Sequence, residues 1–517
     1  MHRSLQIPEI LDAIISKIYE PPSADELLDY WDDDYSLGVR VSLARLARTC
    51  RTFRDPALDV LWSFLKSFDP LIRCLPQDLW MHDDDGFLEF TRPLRASDWV
   101  IFQRYAQRVR VFGDDHGLAL FESVPYDLVD ALSSFLSDGS CFLPNLRRLN
   151  WRYPQDDTDH PSDADYSPLL PFFLSPCLTG ISVGLGRFAS VPSASVLSVA
   201  SPLIKRFECD ETSEKLMQNI SENISKWRYL EYVEAGALSQ KAITHLCSLR
   251  SLKYLGVRLD QLYHRSYANF PPTLESFTIF APPDSLAACQ QYLEGIHLAA
   301  SHLSVIAPAE IIPTESSFEQ FFAFLPSRFS TSNLRILELP IVSCAPDDDP
   351  SVVWSLETIK PLFAFTNMTV FRSHIFWAKL SDNDVEKIAL AWPQLEVFVL
   401  GTFKPWQSPS VITSKGFLSM LRHCRRLREL GLVIDATDVG PVTNEGRGTH
   451  VVNANVTYFD VGCSDIRDAA SVAALLSAVT PRLAKIETAG MWDPAMMSRK
   501  TAWEQVRRLL RLDMPAG

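Results

Sequence analysis

Apolar residues recur along most of this chain in one short motif. It reads apolar, two variable positions, apolar, one variable position, apolar. Copies are Leu146…Leu149…Trp151, Leu178…Ile181…Val183, Ile204…Phe207…Cys209, Leu230…Val233…Ala235, Leu252…Leu255…Val257 and Leu274…Phe277…Ile279. Further on come Leu303…Ile306…Pro308, Leu334…Leu337…Leu339, Met368…Phe371…Ser373, Leu395…Phe398…Leu400, Leu427…Leu430…Leu432, Val456…Phe459…Val461 and Leu483…Ile486…Thr488. These thirteen copies have first anchors 22 to 34 residues apart. Alternate residues of a strand share a face, so the second and third anchors of each copy point into a core and the residues between them point away. One such strand cannot cover its own apolar face; a stack of them can.

The stretches between copies carry helical signals. Ser381 precedes Asp382, Asp384 and a periodic apolar run to Trp392, which is the pattern of a capped helix with acids in its first turn. Residues 318–325, 417–421, 285–300 and 468–479 read the same way, and Pro393 and Pro481 separate helix from strand. A strand and a helix alternating at this period resemble a leucine-rich repeat. The expected fold is therefore α/β, a solenoid with a parallel sheet inside and helices outside. The asparagine usual after the motif is mostly absent, so the repeats are irregular.

Residues 1–65 do not follow this period. Ile10, Leu11, Ile14, Ile15 and Ile18 form one apolar stripe after Pro8 and Glu9, which suit a helix start. After an acidic insertion, Glu20 to Gly38, a second helix is expected over Val41–Phe53, with Leu43, Leu46, Ala47, Cys50 and Phe53 on one face. A third is expected over Ala57–Leu65. Ile7-Pro8-Glu9-Ile10-Leu11, the Leu43…Leu46…Cys50…Phe53 segment and Pro56-Ala57-Leu58…Leu61-Trp62 together resemble an F-box, with Ile7 in place of the usual Leu and no spacer between Pro8 and Glu9. The whole layout is similar to fungal F-box proteins with divergent leucine-rich repeats. Residues 94–110 look like the stretch that joins box to repeats, with Ser97 as a helix cap and Val109 and Val111 opening an extra strand.

The resemblance implies the substrate-recognition subunit of an SCF-type cullin–RING ubiquitin ligase. It performs no covalent chemistry itself, needs no cofactor, and works in the cytoplasm or nucleus. Pro8, Glu9, Ile10, Leu11, Ile14, Leu43, Leu46, Cys50, Phe53 and Trp62 would contact a Skp-type adaptor and, through it, cullin. Arg45, Arg48, Arg51 and Arg54, spaced by three, offer either a solvated face or a dock for an acidic adaptor. The alternative is a repeat scaffold that recruits no ligase. The implied layout is a box at 1–65, a linker and cap at 66–141, repeats at 142–497 and a closing helix at 498–517, with Trp503, Val506, Leu509 and Leu510 on its inner side.

A client protein would meet the outward strand positions. Arg148, Arg206, Tyr232, Tyr254, Arg372 and Tyr458 are the candidates, among neighbours that include Asn150, Glu208, Glu234, Glu338, Glu429, Asp460 and Glu487. Mixed charge with interspersed aromatics suits protein recognition. The net charge of −14 and pI of about 5.3 argue against a phosphate track or an anionic membrane surface. Ten cysteines lie more than twenty residues apart, which excludes a Cys-x-x-Cys metal or redox pair and fits a reducing compartment. The uncharged run 167–186 holds three prolines and reads as strand and loop, not as a membrane span. No phosphate loop, nucleophile elbow or His-Glu-x-x-His motif occurs.

Overall fold

The computed structural model describes Leu11, Ala13 and Ile15 and then residues 33–113, 120–121, 123–137, 139–152, 167–184, 196–209, 214–236, 238–259, 267–281, 286–308, 314–339, 341–342, 353–373, 377–402, 410–439, 451–489 and 494–512. The chain divides into two units, Met1–Leu252 and Lys253–Gly517.

The first unit contains a parallel ladder of β1 (Phe64–Leu65), β2 (Val111–Phe112), β3 (Arg148–Arg152), β4 (Gly180–Gly184), β5 (Arg206–Cys209) and β6 (Tyr232–Ala235), paired in that order. Their register aligns Leu65, Phe112, Leu149, Ile181, Phe207 and Val233 in one column. None of the six is more than 2% exposed. The second unit repeats the arrangement with β7 (Tyr254–Arg258), β8 (Ser276–Phe280), β9 (His302–Pro308), β10 (Ile336–Glu338), β11 (Val370–Ser373), β12 (Val397–Leu400), β13 (Glu429–Leu432), β14 (Tyr458–Asp460) and β15 (Lys485–Glu487). Its column runs Leu255, Phe277, Leu303, Leu337, Phe371, Phe398, Leu430, Phe459 and Ile486. Parallel neighbours require a long crossover, and helices at 315–324, 382–391, 414–423 and 469–479 supply some of these. Ser381 and Asp468 cap two of these helices, accepting amides of the first turn.

Buried turns add a second ordering device. Three residues before the first anchor, a side chain often donates to a carbonyl of the preceding repeat. Ser175 reaches Pro144 O (2.8 Å), Ser201 reaches Ser175 O (3.0 Å) and the Trp227 indole reaches Ser201 O (2.9 Å). In the second unit Cys424 reaches Trp392 O (3.5 Å) and Asn453 reaches Cys424 O (2.9 Å). Ser175 O, Trp392 O and Cys424 O also accept the amide three residues on, so there the side chain from the next repeat fills the second lone pair, and any donor of the right reach can do so.

Several expectations are corrected. The first front helix whose bounds are described, α1, spans Asp33–Ala47, so it begins inside the acidic insertion. The next, α2, spans Arg51–Leu61 with Cys50 at its extended N-cap, so Cys50 and Phe53 do not share a helix with Leu43. The chain turns strand-like at Phe64, so the ladder starts within the segment read as a third helix. Cap and joining segment form one aromatic core: Phe68 lies 5.5–6.2 Å from Phe102, Phe112, Phe121, Phe142 and Phe173. The helix at 96–106 is capped at Arg95, whose amide donates to Asp98 (2.9 Å), and not at Ser97. The stretch 285–300 is a shorter helix, Leu286–Leu293, followed by the strand Ile296–His297.

At β9 the motif frame moves by three residues. Leu303 pairs with Phe277 and Val305 with Ile279, and the small Ala300 takes the first anchor site, fully buried. A small residue there hid the frame. The last helix, Pro494–Leu510, buries Trp503 and Val506 but leaves Leu509 51% exposed. Its Trp503 indole donates to Ser464 O and its Arg507 to Ile486 O of the last ladder strand.

Two substitutions test this account. Gly113 sits at φ +84°, and a Cβ there would meet Asn150 O at 2.2 Å. Gly113→Ala should cost about 2 kcal/mol or more, seen as a lower melting temperature. Asn453→Ala removes the side-chain donor to Cys424 O, which keeps only the Leu427 amide (3.1 Å), and the acceptor of the Asn455 amide (3.1 Å). It should cost about 1–3 kcal/mol, against about 1 or less for the exposed Asn455→Ala, compared by thermal melts.

Candidate protein-binding surface

The front helices have a core of their own. Leu11, Ile15, Leu43 and Ala57 are buried together, with Leu46, Phe53 and Leu61 packed against them. Leu11 and Leu43 are therefore inside the packet. Trp62 is half-buried, with its ring centroid 4.7 Å from that of Tyr105 in the joining segment. Cys50 is half-buried, and the Phe53 amide holds its thiol below the ordinary value. Pro8, Glu9, Ile10 and Ile14 lie outside the described residues.

Arg108, next to β2, holds α2 to the ladder unit through ion pairs with Asp55 (2.7 Å) and Asp59. Those are the acids of α2, so its arginines find no partner there. Arg45, Arg48, Arg51 and Arg54 are all exposed, and none forms an ion pair among the described residues.

The outward strand positions are paired with one another before any partner arrives. Glu208 on β5 is clamped from both sides: Arg152 Nη2 donates to one carboxylate oxygen (3.1 Å) and Arg206 Nε to the other (2.5 Å). The Arg206 guanidinium also lies 3.8 Å from the centre of the Tyr232 ring, a cation–π contact. Tyr232 in turn donates to Glu234 at 3.1 Å. Arg148 is half-buried beside Gly180, with its Cγ 3.6 Å from where a Cβ would stand. Arginine arms and a tyrosine ring cover this face, so Asn150, Glu208 and Glu234 are buried where the alternation predicts exposure.

The second unit carries a longer chain of polar contacts. His302 on β9 lies 3.2 Å from Ser276 Oγ through Nδ1 and 3.2 Å from Glu338 through Nε2. Arg372 on β11 donates to Glu338 (3.3 Å) and reaches past β12 to Glu429 on β13 (2.9 Å). Val399, in register between Arg372 and Gly431, is fully buried on this outward face. A Cβ at Gly431 would stand 2.7 Å from a Val399 methyl. Tyr254 is half-buried on β7 and Arg258 at its end stacks 3.9 Å from the Phe280 ring centre.

At the last strands Tyr458 donates to Glu487, while Lys485 sits 5.2 Å above the Tyr458 ring. Burial raises the Tyr458 phenol, helped by that bond and by the nearby carboxylates, and the same bond lowers Glu487. Burial also raises the Asp460 carboxyl, and Glu487 and Glu429 add to the rise; the Thr402 hydroxyl and the Gly462 amide oppose it. The first unit's face is thus rich in arginine and the end of the second is rich in carboxylate.

The sequence located the outward columns. It missed Arg152 as the second arm on Glu208, and it missed the donors three residues before the first anchors at 178, 204, 230, 427 and 456, because Ser, Trp, Cys and Asn share no letter. Aligning the repeats on their first anchors is the signal that brings those donors together. Among the described residues no group of three or more His, Cys, Asp or Glu is placed to hold a metal, and no helix is long and apolar enough to cross a membrane.

No family model and no curated protein matches this chain. A solved leucine-rich-repeat protein of Leptospira interrogans aligns with it at 12% identity and a TM-score of 0.31, covering 80% of this chain and 97% of that one.

A pH experiment tests the carboxylate end. Folded Asp460 keeps its proton to higher pH than the unfolded chain does, so stability falls as pH rises from the ordinary carboxylate range through the folded value. Asp460→Asn keeps an oxygen for the Gly462 amide and removes that fall. It should raise the melting temperature by about 2–4 °C at neutral pH and leave it unchanged in acid. Equal shifts at both pH values would show that titration is not the cause.

Proposed function

We propose that this chain is a substrate-recognition subunit of an SCF-type cullin–RING ubiquitin ligase. Its front helices bind a Skp-type adaptor, and its strand ladders hold a client protein. The carrying observation is that the front helices pack around a core of their own, Leu11, Ile15, Leu43 and Ala57, immediately before the first ladder strand. A small module with its own core, set at the head of a repeated recognition surface, suits a two-ended bridge. The chain itself breaks no bond in this reading. It raises the local concentration of the client's lysine near a loaded conjugating enzyme.

The exposed arginines of α1 and α2 would face the adaptor, and the paired charges of the strand faces would steer and orient the client. A second reading, a repeat scaffold without ligase recruitment, is favoured by the burial of Leu11 and Leu43 inside the packet, which removes both from direct contact.

The deciding experiment mixes the full-length chain with a purified Skp-type adaptor and follows both by size-exclusion chromatography. The ligase reading expects co-elution, and Arg45→Glu with Arg51→Glu should weaken it about tenfold, worth about 1.4 kcal/mol, without lowering the melting temperature. A wild-type chain that never co-elutes leaves the scaffold.

A further inference from the structure

Four repeats place an asparagine immediately before the first anchor, and each donates to a carbonyl of the preceding repeat. Asn145 reaches Gln107 O (2.8 Å), Asn333 reaches Ala299 O (3.2 Å), Asn367 reaches Ser332 O (2.9 Å) and Asn455 reaches Arg425 O (2.8 Å). In three consecutive repeats of the first unit the same position holds Cys177, Leu203 and Tyr229. The anchors that follow, Leu178, Ile204 and Leu230, are fully buried, so the chain path is the same. The three side chains are nevertheless turned out: Cys177 is exposed, Leu203 is 45% exposed and Tyr229 53%. Val199, on the short helix leading to Leu203, is 75% exposed.

These residues lie abreast. The ladder continues below the strands, with Lys205 N donating to Thr179 O and Glu231 N to Lys205 O, both at 2.7 Å. Residues two positions earlier therefore follow one another at about the strand spacing of 5 Å. The result is a continuous apolar strip along the turns that enter β4, β5 and β6. Contiguous exposed apolar surface is uncommon on a soluble protein unless something binds there. The strip's rim is cationic. Arg147, Lys226 and Arg228 are exposed and form no ion pair among the described residues, while Lys205 is tied to Glu231 at 2.9 Å.

We infer that this strip is a docking surface for a segment of a partner protein that presents apolar side chains flanked by Asp or Glu. Apolar side chains of the segment cover Leu203, Tyr229 and Val199, and its carboxylates meet Arg147, Lys226 and Arg228. Such a rim stands out on a chain of net charge −14, and local complementarity of this kind selects and orients a partner. A nucleic acid or an anionic membrane fits poorly, because an extended polyanion finds an apolar centre here and a repelling chain around it. The site is separate from the outward strand face, and it stands whether or not the front helices recruit an adaptor.

The test selects a random dodecapeptide display library on the full-length chain and repeats the binding of enriched peptides on the Leu203→Asp, Tyr229→Asp double variant. Both residues are half or nearly half in solvent, so the variant should fold, and its thermal melt verifies that. The expected result is enrichment of peptides that combine Leu, Phe or Trp with Asp or Glu. Their affinity should drop about tenfold or more on the double variant, and Arg147→Glu with Arg228→Glu should weaken the same peptides. A bound peptide should also slow maleimide labelling of Cys177. The inference is overturned by an absence of enrichment, by enrichment of basic peptides, or by peptides that bind the double variant equally well. It is also overturned if the chain self-associates and the double variant is monomeric, since the occupant is then a second copy.

Discussion

The structure depends on one constraint: every ladder strand must place its second anchor in register with its neighbours'. Among the described residues no strand is longer than seven residues, and most ladder strands have three to five. None could bury Leu149, Phe277 or Phe398 alone. Removing such a side chain from water is worth roughly 1.5–3 kcal/mol, but only when the flanking strands are present to exclude that water. Stability in such a ladder is a sum over neighbours. The polar outward face follows from the same register, because the alternation that buries Leu337 and Phe371 necessarily brings Glu338, Arg372 and Glu429 within reach of one another.

That enforced proximity shapes recognition. Glu208 between two arginines and Arg372 between two glutamates are fixed before a partner arrives. Arms already held in place lose less freedom on association than free ones. Each pair must also give up or share its internal partner when a client's charge approaches. A client is therefore judged on its fit to an existing pattern, which favours discrimination over raw affinity.

How much of this was legible in the sequence depends on the reach of each interaction. The anchors were readable because the alternation of two is local, and twelve of the thirteen copies fall in the observed frame. The copy at Leu303 slipped because Ala300, a small residue, fills the first anchor site, and apolar pattern alone does not separate Leu303-Ser304-Val305 from Ile306-Ala307-Pro308 as the second and third anchors. The front helices were misjudged at their joints. Leu43, Leu46, Cys50 and Phe53 keep helical spacing across the break at 48–50, and periodicity cannot see a turn that preserves phase. The burial of Glu208 was invisible for another reason: it is set by Arg152, 56 residues away, whose side chain crosses β4 to reach it.

The donors in the buried turns have a wider meaning. Serine, serine, tryptophan, cysteine and asparagine do the same task at successive or related corners, and each is matched in length to the carbonyl it reaches in the preceding unit. The modules are therefore keyed, like unequal teeth, and not interchangeable. Duplicating, deleting or shuffling a single unit would bring a short hydroxyl opposite a gap sized for an indole. A chain built this way can change by point substitution on its faces far more freely than by gain or loss of whole units.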